Sequence, residues 1–159
     1  GTGPCLVLVV AHATDARHAN GLHRRASTAA QGTPGTGEPG GYASWKLAHG
    51  LTSDNIDTDT DGLPALVEYA TGSDPAAPGT ANLPTLVPSP TGPELRLCIN
   101  ASLSEVTLQL ESSSSLGDWS SDTLPVLSRQ RVGPLEKITF ALPPTAAGRY
   151  WRLRVSTTP

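Results

Sequence analysis

Leu95-Arg96-Leu97-Cys98-Ile99-Asn100 and, five residues further on, Val106-Thr107-Leu108-Gln109-Leu110-Glu111 both alternate apolar and polar side chains. In a strand successive side chains point to opposite faces, so each run offers one face to a core and one to solvent. The pattern returns where Ile138, Phe140 and Leu142 alternate with Lys137, Thr139 and Ala141, and again where Trp151, Leu153 and Val155 alternate with Arg152, Arg154 and Ser156. Turn signals at Asn100-Ala101-Ser102, Val132-Gly133-Pro134 and Ala146-Ala147-Gly148 separate the runs. Leu124 to Arg129 adds a strand and Pro84 to Val87 a short edge one. The expected fold is mainly β: a small antiparallel β-sandwich over residues 81–159.

Composition agrees with a loop-rich β chain. Of 159 residues, 16 are Gly and 15 Pro, and only 37% are hydrophobic, which argues against a compact all-helical core. The net charge of -3 gives no electrostatic reason to expect nucleic acid as a partner. No apolar run approaches the ~20 residues of a membrane-spanning helix. Two cysteines, Cys5 and Cys98, are too few for a disulfide framework and lack Cys-x-x-Cys spacing, so each reads as a small hydrophobe or an incidental thiol.

Residues 1–41 read differently. Cys5-Leu6-Val7-Leu8-Val9-Val10-Ala11 is the most apolar run and leads into Ala11-His12-Ala13, so it fits either the end of an export signal or a short buried strand. Thr14 to Gly41 is polar and Gly-rich, which predicts a disordered linker. His12, His18, His23 and His49 show no metal-ligand spacing and read as solvated histidines.

Between linker and strands, residues 42–80 carry the chemistry. Asp57-Thr58-Asp59-Thr60-Asp61-Gly62-Leu63-Pro64-Ala65-Leu66-Val67-Glu68 fits the calcium-loop pattern D-x-[DN]-x-[DN]-G-x5-E at every specified position. Calcium takes six to eight oxygens, and alternate residues of a tight loop turn their carboxylates inward. The expected ligands are the side chains of Asp57, Asp59, Asp61 and Glu68 and the carbonyl of Leu63, with Gly62 permitting the sharp turn. Ala65 at the ninth position has no ligating side chain, so a water or a neighbour such as Asp54, Asn55 or Asp74 takes that vertex. Six acids fall between Asp54 and Asp74, with no Lys or Arg from Leu47 to Leu95, so an ion-free loop repels itself. The competing reading is an acidic solvated turn.

Helices flank this loop in the expected structure. Ser44 to His49 before Gly50 reads as one, and Pro64 to Thr71 before Gly72 as the other. Leu63, Leu66, Val67 and Ala70 make an apolar face on the second, with Trp45 and Leu47 of the first expected to pack on it. Pro64 and the missing second acidic loop set the segment apart from a paired EF-hand sensor.

At Trp45 to Leu51, Asp57 to Pro64 and Glu68 to Pro75 the chain resembles the calcium-loop segment near the C-terminus of large secreted modular bacterial proteins, related to thrombospondin type 3 and dockerin-type repeats. The stretches Leu110 to Trp119 and Gly148 to Val155 are similar to the β-rich part of that group, and the resemblance spans about Tyr42 to Pro159. It implies a non-catalytic, secreted or cell-surface module stiffened by calcium.

No nucleophile elbow, P-loop or zinc motif is present, so no enzymatic activity is expected. The alternative function is binding of a glycan or a cell-surface protein by the β-sandwich, through Trp119 and an arginine face of Arg149, Arg152 and Arg154 with Arg129 and Arg131. Trp151, in phase with Leu153 and Val155, reads as core.

Overall fold

The computed structural model describes residues 5–12, 41–80, 82–143 and 148–158. The elements are β1 (Cys5–His12), α1 (Tyr42–Ala48), α2 (Ala65–Thr71), β2 (Thr85–Val87), β3 (Glu94–Asn100), β4 (Val106–Ser113), β5 (Ser120–Ser121), β6 (Val126–Val132), β7 (Leu135–Ala141) and β8 (Tyr150–Thr157). The fold is mainly β, with two four-stranded sheets in the orders β1-β8-β4-β5 and β2-β3-β7-β6.

All pairings but one are antiparallel. The exception is β1, from the run that reads as either a short buried strand or the end of an export signal: it pairs in parallel with β8. Its run of Leu and Val has strand composition, and pairing with β8 gives its backbone groups partners. Residues 13–40, with His18, His23 and most of the expected linker, lie outside the described residues.

The period-two pattern places the core. Leu95 and Leu97 of β3, Ile138 of β7 and Trp151, Leu153 and Val155 of β8 are buried, each on the apolar face of its strand. Glu111 keeps to the polar face of its strand, in register with Arg152, yet is buried there, clamped by Arg152 at 2.6 Å and Arg154 at 3.5 Å. Two cationic partners offset the cost of removing that carboxylate from water.

Helix α2 joins the two sheets. All seven of its residues are buried, and it touches β1 and β8 of one sheet and β3 of the other. Leu66, Val67, Tyr69 and Ala70 therefore belong to the same hydrophobic cluster as Leu95, Trp151 and Leu153. The helix is too short to hold itself together by backbone bonds, so burial is what stabilises it. It stops at Gly72, whose left-handed φ of 70° favours glycine. Pro64, expected as its first residue, is instead its N-cap with ψ 150°, its carbonyl accepting from Val67 N–H at 2.8 Å and Glu68 N–H at 3.1 Å.

Helix α1 lies on α2 through aromatic rings. Trp45 and Tyr42 stand 5.4 and 5.1 Å from the Tyr69 ring, centroid to centroid. Leu47, expected in this contact, is 59% exposed, and Tyr42, on the other side of the helix turn, takes its place. Glu105 at the start of β4 fixes α1 from across the molecule by accepting the Ala43 N–H at 2.9 Å. Tyr69 ties α2 to the same corner, its hydroxyl donating to Ser104 carbonyl and accepting from Ser104 N–H. Among the described residues no helix is long and apolar enough to cross a membrane.

Leu66→Ala is expected to destabilise the protein by about 2 to 5 kcal/mol, and Leu47→Ala by under about 0.5 kcal/mol, in urea unfolding. Equal effects would contradict a helix pair that buries Leu66 and leaves Leu47 to solvent.

Candidate metal centre

Leu51 to Pro64 connects the helices, and its backbone is bent around carboxylates. Asp57 accepts the Thr60 N–H on Oδ1 at 2.8 Å and the Gly62 N–H on Oδ2 at 2.9 Å. Asp59 Oδ1 accepts from Asp61 N–H at 3.2 Å, and Asp61 from Leu63 N–H at 2.8 Å and Gly79 N–H at 2.9 Å. These bonds draw the loop into a coil with two residues in the left-handed region, Thr60 at φ 64° and Gly62 at φ 89°. A β-branched residue there is strained, so the Asp57 carboxylate holds Thr60 against its own preference.

The coil brings the expected aspartates together. One carboxylate oxygen from each of Asp57, Asp59 and Asp61 lies within 4.8 Å of the others, and all three side chains are half-buried. Glu68, on α2, is 1% exposed. Its carboxyl is pushed up to about 7, first by burial and then by the charges of Asp59, Asp61 and Asp57. Its Oε1 and the Asp59 Oδ2 are buried without a hydrogen-bond partner.

Orphaned oxygens on a buried carboxylate are costly unless a cation meets them. All the side-chain donors are hard oxygens, the set that suits calcium rather than zinc. Asp57, Asp59 and Asp61 are grouped closely enough to hold a divalent cation; Glu68 lies outside that group of three, its carboxylate buried on α2 and subject to their charges.

Two of the neighbours expected at the ninth vertex, Asp54 and Asp74, have other partners. Asp54 is held by the Tyr42 hydroxyl at 3.0 Å and by Lys46, and burial beside Asp54 pushes the Tyr42 pKa far up. Asp74 Oδ1 accepts the Ala76 N–H at 3.0 Å. Lys46 lies just outside the cation-free stretch and reaches a carboxylate eight residues ahead of it, a spacing that no motif signals.

Other candidate residues fall outside this centre. His49 lies tilted against Trp45 with ring centroids 4.8 Å apart, Cys98 is a half-buried thiol whose pKa burial raises, and Asn100 Oδ1 closes a turn on the Ser102 N–H. Trp151 is fully buried, as expected for core. The Arg152 guanidinium stands 4.2 Å over the ring of Trp119, whose Nε1 donates to the Leu116 carbonyl. No family model, curated protein or solved structure matches the chain.

Glu68 titrates at about 7 in the cation-free fold against 4.5 ordinarily, so the folded state takes up a proton between those values. Its contribution favours folding at low pH and is lost as pH rises through about 7. In chelator, the unfolding midpoint of wild type should therefore fall relative to Glu68→Gln, by several degrees, between about pH 5 and 8. A constant difference between the two proteins would show that Glu68 is not held as a buried acid.

Proposed function

We propose that this chain is a non-catalytic, calcium-binding structural module of an exported bacterial protein, in which the ion rigidifies the joint between the two helices and a β-sandwich. The two sheets are read as packed face to face, since Leu95 and Leu97 of one and Trp151, Leu153 and Val155 of the other share one cluster. Asp57, Asp59, Asp61, the Leu63 carbonyl and Glu68 hold the ion, which supplies the positive charge that the loop lacks.

One observation carries the reading: the fully buried Glu68 carboxylate, with an oxygen unpartnered, beside three aspartates. A solvated acidic turn has no reason to place one of its charges inside the core. The mechanism is linkage, since an ion that binds only the folded loop stabilises it by mass action. At millimolar extracellular calcium, a site with a dissociation constant of ~0.1 to 1 mM is substantially filled, which agrees with the secreted setting that the resemblance implies.

In ~5 mM calcium the unfolding midpoint should rise by at least several degrees over that in excess chelator, and Asp59→Ala should abolish the rise. An unchanged midpoint, together with no binding heat in calorimetry, would reduce Asp57 to Glu68 to an acidic turn.

A further inference from the structure

Among the described residues, strand β6 is a sheet edge that no other strand covers. It is the outer strand of its sheet and pairs, among the described residues, with β7 alone. All seven of its residues are exposed, and Val126, Leu127 and Val132 are three of the five large hydrophobic residues with the greatest exposure. The opposite edge of the same sheet, β2, is only three residues long and is half-buried at two of them.

The charges of β6 select what pairs with it. Cross-strand neighbours share a face, and Arg129 sits opposite the buried Ile138 and Arg131 opposite Glu136. Both arginines therefore lie on the core side of the sheet, beyond the reach of the core itself. Arg129 is paired with Glu136 at 3.0 Å, whereas Arg131 donates only a long bond of 3.4 Å to the Gly133 carbonyl. A second copy added antiparallel along β6 and centred on Gln130 would set Arg129 beside Arg131, which repels. An extended segment with carboxylates two residues apart presents them on the face of Arg129 and Arg131, where an apolar residue beside them meets Val126; Val132, opposite Leu135, lies on the other face.

We propose that β6 is a docking edge at which an extended acidic segment of a partner protein adds as a further strand. The backbone of β6 supplies the hydrogen bonds and its two arginines the selectivity. The inference holds whether or not the Asp57 to Glu68 loop takes calcium.

The test is a titration of the isotope-labelled full chain, followed by amide NMR, with a nonapeptide alternating Thr with Val, Glu, Glu and Val. The amides of Val126 to Val132 should shift, and the peptide with Lys for Glu should bind roughly fivefold or more weakly. Arg131→Glu should reverse that preference while leaving shifts in β3 and β8 unchanged, which separates lost selectivity from lost fold. Equal affinity for the two peptides, shifts elsewhere, or no shifts at millimolar peptide would overturn the proposal. Concentration-dependent dimerisation that moves the β6 amides would overturn it in favour of a second copy.

Discussion

The carboxylate of Glu68 sits on a helix that is buried on every side, and most of the rest of the structure is arranged around that fact. A charge in such a position must be protonated or be met by a cation. The three aspartates nearby make an unaccompanied negative charge more costly still, so the loop and the core share one electrostatic constraint. The calcium reading resolves that constraint with a single ion. It also gives a reason for α2 to present both a core-packing face and a carboxylate to the same interior.

Because α2 touches strands of both sheets, whatever steadies Glu68 steadies more than a surface loop. The Tyr69 hydroxyl bridges to Ser104, and Glu105, with a left-handed φ of 64°, commits its carboxylate to the N-terminus of α1. Strain at Glu105 and at Thr60 thus lies at the two points where the helices are tied down. Both positions are over-determined by hydrogen bonds, the condition under which strained backbone persists.

Much of this was legible in the chain. Period-two alternation located β3, β4, β7 and β8, because each has one face in the core and the other toward solvent. The aspartate spacing located the loop because the carboxylates it gathers lie close together in sequence. Contacts made across long separations were not legible. Glu111 reads as a solvent-facing strand residue until Arg152, 41 residues away, is placed beside it. That Leu47 is exposed and Tyr42 packs inward was not legible either, because a seven-residue helix contains too few turns for periodicity to fix its inward face. For β1, composition fits a strand and the end of an export signal alike, and its partner β8 lies more than 130 residues away in sequence, beyond what a local pattern can reveal.

That an ion at the loop acts on the core through α2 is tested most directly by hydrogen exchange measured with and without calcium. Calcium should slow exchange along Ala65 to Thr71 and into β3 and β8, the strands that α2 touches. Slowing confined to Asp57 through Leu63, with α2 unaffected, would contradict that coupling.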